Sequence, residues 1–422
     1  MKFQYFILSI AFVLQTSFSA GAQLLPRVKP ELAGMDSHRM AYADSAILRS
    51  IAAGETPGAV LAVVRFGKLA YLKAYGNRQV HPSTLPMTEN TVFDLASVSK
   101  SVSTAISAMI LVERGLLRLS DPVSFYIPGF QPWEDTTSHQ KTSIRIIHLL
   151  THSSGLPAYA SVAELQKQYA TPNPDGMIQH IAGVQRLSPP GTQFRYSCLN
   201  FISLQRVIEN ISGKSLQTFA QENIFKPLGM KHTDYNPTGE TLALAAPTEN
   251  NQAPAGTVHD PLAQVMNGGI SGNAGVFSNA EDLAILSAML LNNGELNGIR
   301  ILSPLTVKTM RTIPDGYQDF GRTLGWDLSS AYSSNRGDLF GAEIYGHTGF
   351  TGTSLVIDPE TQTAIILLTN SVHLETGNVI RLRSVVANAV AGAIVSVDEK
   401  SIAQSSGIRR SLWRKRSPDK NM

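Results

Sequence analysis

Two short pairs of apolar runs stand at opposite ends of this chain, and helical patterns fill the space between them. Ala59 to Phe66 is an apolar run but for Arg65, Gly67-Lys68 reads as a turn, and Leu69 to Tyr75 is a second run, together a hairpin of buried strands. Near the other end, Ser354 to Ile357 and Ala364 to Thr369 flank the turn signal Asp358-Pro359-Glu360. Between the pairs the apolar spacing is that of helices. Val102, Ala105, Ile106, Met109 and Ile110 mark one over Ser101 to Arg114. Phe201 to Ile211 carries a second, with Gly213 as its stop, and Ala280 to Leu291 a third, stopped by Asn292-Asn293-Gly294. Gly377 to Val395 closes the pattern as a terminal helix, spaced by Ile380, Val385, Val386 and Val390.

Strands from both ends must meet to bury their faces. The expected fold is therefore α/β of the α+β kind: an antiparallel sheet flanked by helices, with a mostly helical lobe inserted. The sheet lobe takes about 23–92 and 260–395, the helical lobe about 93–259. Residues 1–22 read as a secretory signal peptide, from Lys2, the apolar stretch Phe6 to Val13 and the small residues Ala20-Gly21-Ala22. The alternative, a membrane anchor, requires a longer uninterrupted span than Gln15, Thr16 and Ser17 allow. That segment places the protein in the periplasm or outside the cell. Residues 396–422 form a basic tail expected to be disordered.

The net charge is +3, but the tail holds seven basic and three acidic residues and Lys2 adds one more, leaving the body near −2. No basic surface is expected there, and nucleic acid is not an expected partner. Cys198 is the single cysteine, so no intramolecular disulfide can form.

Ser97-Val98-Ser99-Lys100 sets a hydroxyl and an amine three residues apart at the start of a helical pattern, where both share one face. A serine needs a base to attack a carbonyl, and a lysine among apolar neighbours loses proton affinity and can serve as one. The same spacing recurs at Ser138-His139-Gln140-Lys141, in a polar stretch that reads as a loop.

Phe93-Asp94-Leu95-Ala96-Ser97-Val98-Ser99-Lys100 resembles the first motif of the serine β-lactamase and penicillin-binding protein superfamily, above all its class C β-lactamase and esterase branch. Leu149 to Pro157, the stretch Pro190 to Ser197, Pro227-Leu228-Gly229-Met230 and His347-Thr348-Gly349 resemble further signatures of that branch, in the same order. The resemblance implies that Ser97 forms an acyl-enzyme, that Lys100 holds or takes its proton, and that Tyr196 is the second acid/base. It implies that His347 lines the opposite wall beside Thr348 and Gly349. The oxyanion would be held by the backbone N–H groups of Ser97 and Phe350. No metal or organic cofactor is implied. The expected substrate is a peptidoglycan stem peptide ending in D-alanine, then a small ester, then a β-lactam. A rival from another class is an inactive peptidoglycan-binding protein of the same fold.

The chain departs from the family's Tyr-x-Asn at one place: Tyr196-Ser197-Cys198 lacks the side-chain amide. Cys198 hydrogen-bonds more weakly, and Asn200 is the candidate to compensate. Cys198 reads more simply as a small packing residue than as a nucleophile. His148 and His152 have i, i+4 spacing without the glutamate of a zinc protease, so His152 is expected to fix a loop. Val258-His259-Asp260 is expected to brace the return to the sheet, and the glycines from Asn267 to Gly275 to form a wall near the site.

Overall fold

The computed structural model describes residues 24–248, 253–374 and 377–396. The signal segment expected at 1–22 and the tail beyond Ser396 lie outside the described residues.

The strand pairs from the two chain ends join in one antiparallel sheet. Its strands are β1 (Gly58–Arg65), β2 (Lys68–Gln79), β3 (Leu85–Pro86), β4 (Tyr345–Thr348), β5 (Ser354–Asp358) and β6 (Thr363–Thr369). Their order across the sheet is β4-β5-β6-β1-β2-β3. The seam runs along β1 and β6, where Ala59 faces Thr369 and Arg65 faces Thr363. Both seam strands are covered on both faces, which is why they read as unbroken apolar runs. Val60, Ala62 and Val64 enter the larger core, while Ala59, Leu61 and Val63 enter the smaller. The β1–β2 turn falls on Phe66-Gly67, one residue before the position read from the sequence. Both residues hold positive φ, 49° and 66°, the backbone twist a two-residue hairpin needs.

Five helices position the site: α1 (Ser37–Ala52), α2 (Ile106–Glu113), α3 (Cys198–Ser212), α4 (Ala280–Leu291) and α5 (Ile380–Ala393). α1 and α5 pack on each other over one face of the sheet. The Asp36 carboxylate caps α1 by accepting from the His38 and Arg39 N–H groups. α4 covers the other face and is buried almost all round, because the inserted lobe lies on its far side. A small three-stranded sheet of Phe93–Asp94, Val276–Ser278 and Asp234–Tyr235 carries the chain from the main sheet to the insertion.

The helix read over Ser101 to Arg114 differs at its start: Lys100–Ala105 is π-helical and runs on into α2. Its first turns are rich in hydroxyls yet wholly buried. Ser101 donates to Gly325 O at 2.7 Å, Thr104 to Gly272 O at 2.8 Å, and Ser103 accepts from the Tyr235 hydroxyl at 2.9 Å. Each buried hydroxyl here has a partner, and that is the condition for burying one without a large loss. The second Ser-x-x-Lys, at Ser138, sits on the exposed turn between Trp133–Glu134 and Lys141–Thr142. No helix among the described residues is long and apolar enough to cross a membrane.

Candidate active site

The small sheet ends in a tight turn that presents Ser97. Ala96, just before it, holds φ 46°, a left-handed conformation that an alanine seldom adopts. The Ala96 N–H donates to Asp94 Oδ1 at 2.8 Å, which steadies the turn. Lys100, fully buried, then reaches back. Its Nζ donates to Ser97 Oγ at 2.9 Å and to the Asn273 carbonyl at 2.8 Å. The same Nζ lies 5.1 Å from the centroid of the Tyr196 ring. The three groups converge as expected, and the glycine-rich segment supplies the wall at Asn273.

Burial would depress the Lys100 amine, and its neighbours Cys198 and Tyr196, then Asp260, offset that and shift it upward. The sequence shows apolar neighbours in series; the fold adds the groups that favour the charge.

The wall behind Tyr196 was largely invisible in the sequence. His152 stacks on the phenol ring at 4.4 Å. Its Nδ1 accepts from the Ser197 N–H at 3.1 Å, so it fixes the loop as expected. The two histidines at i, i+4 do not share a site: His148 Nδ1 accepts from its own helix start, at Arg145 N–H, 3.0 Å away. On the far side of Tyr196 lies Arg322, absent from the sequence reading. Its guanidinium is 5.3 Å from the Tyr196 centroid, 5.4 Å from that of Phe194 and 5.9 Å from that of Tyr332. It pairs with Asp327 at 3.0 Å, both nearly fully buried. Burial, then Arg322 and Lys100, hold both His152 and His347 well below the usual imidazole value. The pair is neutral.

A cleft of about 440 Å³ opens above these groups, lined by Ser97, Tyr196, Arg322, His347, Thr348 and Phe350 among others. Gly349 lines it as well. Among the described residues neither the Ser97 nor the Phe350 backbone N–H donates to a protein acceptor. Both are free for a ligand. Cys198 begins α3 with its thiol buried beside Lys100 and Asn273, and burial pushes that thiol up. Asn200 does not reach the cleft. It is fully buried, accepts from the Ser154 hydroxyl at 2.5 Å and donates toward His152 Nδ1 at 3.3 Å. The compensating role expected for it is replaced by bracing, because residues on a helix two positions apart face different ways. Val258-His259-Asp260 braces and also touches the rim. The His259 N–H donates to Asp94 Oδ2 at 2.7 Å, and its ring stacks on Phe350 at 5.4 Å.

Comparison with known proteins agrees with this architecture. Residues 40–388 match the family Beta-lactamase. The chain is 34% identical to N-acetylmuramyl-L-alanine amidase of Bacillus subtilis (strain 168), over 84% of this chain and 86% of that protein. It is 30% identical to the Escherichia coli (strain K12) protein named "Putative D-alanyl-D-alanine carboxypeptidase", over 88% of this chain and 92% of that one. Among solved structures, EstCE1, a hydrolase with promiscuous acyltransferase activity, superposes with a TM-score of 0.68 at 24% identity, over 84% of this chain and 99% of that chain, a likeness of fold. Fold, motif order and sequence identity converge over most of the chain, and it belongs to the beta-lactamase family of serine hydrolases.

Proposed function

We propose that Ser97 attacks an acyl carbonyl and passes the acyl group to water, on a peptide of the bacterial envelope that ends in D-alanine. The observation that carries this reading is Lys100, whose ammonium joins the Ser97 hydroxyl to Tyr196 at the foot of an open cleft.

The chemistry follows from who holds the protons. Lys100 donates to Ser97 Oγ, so the serine proton is turned away from it and passes to Tyr196, which receives it as a phenolate and becomes a neutral phenol. The Ser97 oxygen then bonds to the carbonyl carbon, and the oxyanion is received by the Ser97 and Phe350 N–H groups. Collapse breaks the bond to the leaving amine or alcohol, which takes the proton back from Tyr196. Water then gives its proton to Tyr196 and its oxygen to the acyl carbon; the bond to Ser97 Oγ breaks, and Ser97 takes the proton back from Tyr196. Lys100 remains charged throughout and favours each anionic form beside it. The Thr348 hydroxyl lines the opposite wall, where it can donate to the substrate's terminal carboxylate, and the neutral His347 lies beside it.

The envelope substrate is supported by the amidase and carboxypeptidase relatives and by the signal-like N-terminus, which also supports a periplasmic or secreted location. An esterase is the second reading, favoured by the rim: Phe350 is 76% exposed and Tyr332 52% exposed, an apolar border suited to an acyl chain.

The test is covalent labelling of Ser97 by a fluorescent penicillin and an activated phosphonate, read by peptide mass spectrometry, with Ser97→Ala as control. Hydrolysis of D-alanyl-D-alanine peptides, short esters and β-lactams is measured alongside. Label on Ser97 and release of D-alanine are expected. Absence of label together with absence of hydrolysis overturns the reading.

A further inference from the structure

We infer that Asp94 is a positioning residue of the hydrolytic reaction, its carboxylate holding together the two backbone segments that would receive the oxyanion. The inference rests on the acyl-enzyme reading above.

Asp94 is buried on the strand Phe93–Asp94, paired opposite Phe277. Each of its oxygens serves a different wall of the cleft. Oδ1 accepts from the Ala96 N–H at 2.8 Å and holds that residue at φ 46°, so that the next residue, Ser97, projects with its own N–H free. Oδ2 accepts from the His259 N–H at 2.7 Å. The His259 ring in turn lies flat against Phe350, 5.4 Å apart and 16° from parallel. The Asp94 carbonyl adds a third tie, accepting from the Thr351 hydroxyl at 2.8 Å. Thr353 donates to Leu95 O at 2.9 Å, beside it. One residue thus links the turn before Ser97 to the turn that contains Phe350. Oxyanion donors work by geometry, and a small displacement of either costs rate rather than substrate affinity.

The ionised form suits the site, since a carboxylate accepts strongly with both oxygens while a protonated carboxyl accepts weakly at its hydroxyl oxygen. The ionisable groups facing Asp94 are His259 and Asp260, both on the bracing segment. The strand Val276–Ser278 and the turn from Gly349 to Thr353 bring none, and Lys100 turns its amine to Ser97 and Asn273. Burial, only partly offset by the two N–H donors, pushes the Asp94 carboxyl up to about 6. A folded value above the unfolded one means that ionising Asp94 costs stability as pH rises from the ordinary carboxyl value to about 6. Protonation weakens one of the two acceptors, slackens its N–H bond and loosens one wall.

The experiment is a stopped-flow measurement of the acylation burst with a p-nitrophenyl ester, between about pH 4.5 and 8. It compares the wild type, Asp94→Asn and His259→Ala, each checked for folding by circular dichroism. In the wild type the burst rate falls in acid with a midpoint near 6. In Asp94→Asn the burst is slower by roughly tenfold or more at neutral pH, KM changes little, and the acid limb disappears. In His259→Ala the limb persists. A wild-type rate and limb in Asp94→Asn, or loss of the limb in His259→Ala, overturns the inference. Should Asp94→Asn not fold, the other two profiles decide, and a wild type without the limb overturns it. A wild type with no burst at all refutes the acyl-enzyme reading itself, and this inference with it.

Discussion

Arg322 Nη1 lies 3.5 Å from His347 Nε2, so the histidine meets the guanidinium with its lone pair. The other ring nitrogen, Nδ1, is 2.8 Å from the Thr348 carbonyl, which can only accept, so Nδ1 carries the hydrogen. Two buried cations and a neutral imidazole are thereby packed around Tyr196. The positive charge on that side of the phenol comes from Arg322, not from the motif histidine.

His347 and His152 are therefore expected to stay neutral, with fixed tautomers, to well below pH 6. Burial, then Arg322 and Lys100, disfavour the charged rings. Both have folded values below the unfolded one. Their stabilising contribution is present above about pH 6.5 and is lost as pH falls below it. Nitrogen-15 spectra of the histidine rings check this; a ring titrating near the ordinary value contradicts it.

Arg322 and Asp327 form an almost wholly buried pair at 3.0 Å. Arg322→Met leaves a buried carboxylate alone and is expected to lower stability by about 3–5 kcal/mol. Arg322→Met combined with Asp327→Asn should recover most of that loss, since no lone charge remains. Urea denaturation of the single and double variants measures the difference. Activity should stay low in both, because one of the two cations beside Tyr196 is gone.

Cys198→Asn is expected to raise turnover of a β-lactam. The thiol lies beside Lys100 and Asn273, and the Asn273 Nδ2 amide is buried without a well-formed hydrogen bond. A carboxamide oxygen at position 198 can accept from Asn273 and add roughly 1 kcal/mol of stability. The check is a pair of measurements, melting temperature and chromogenic β-lactam hydrolysis. If neither changes, position 198 plays no part in either.

Asp282 caps the opposite end of the small sheet from the site, accepting from the His232 N–H at 2.7 Å and the Thr233 hydroxyl at 2.8 Å. Burial pushes its carboxyl up to about 6. Between the unfolded value and that one, the folded chain binds more protons than the unfolded chain. Its contribution to stability therefore declines as pH rises through that window. Asp282→Asn removes this slope, so its stability relative to the wild type should improve by about 2–3 kcal/mol on going from acid to neutral pH. Denaturation curves at the two ends of the window test it.

The legible parts of the molecule were the local ones. α4 occupies the same twelve residues that its apolar spacing indicates, with Asn293 and Gly294 in the left-handed conformations of a stop. The site helix was legible in outline, but its π-helical first turns were not, since they depend on hydroxyl partners at Gly272, Gly325 and Tyr235. His152 was singled out by its motif. Its stacking on Tyr196 could not be seen from forty-four residues away in the chain. Arg322 carried no signal, because a lone arginine in a polar loop region looks like any solvated charge.

The chain alone made legible the apolar strand runs at its two ends, which must meet to be covered, and the meeting of Ser97 with Lys100, because an apolar run and one helical turn are read locally. Tertiary structure decided which groups surround the Lys100 amine, that Asn200 turns inward, and that Arg322 supplies charge beside Tyr196. Proton affinity depends on burial and on neighbours brought in from distant segments, and no local spacing encodes either.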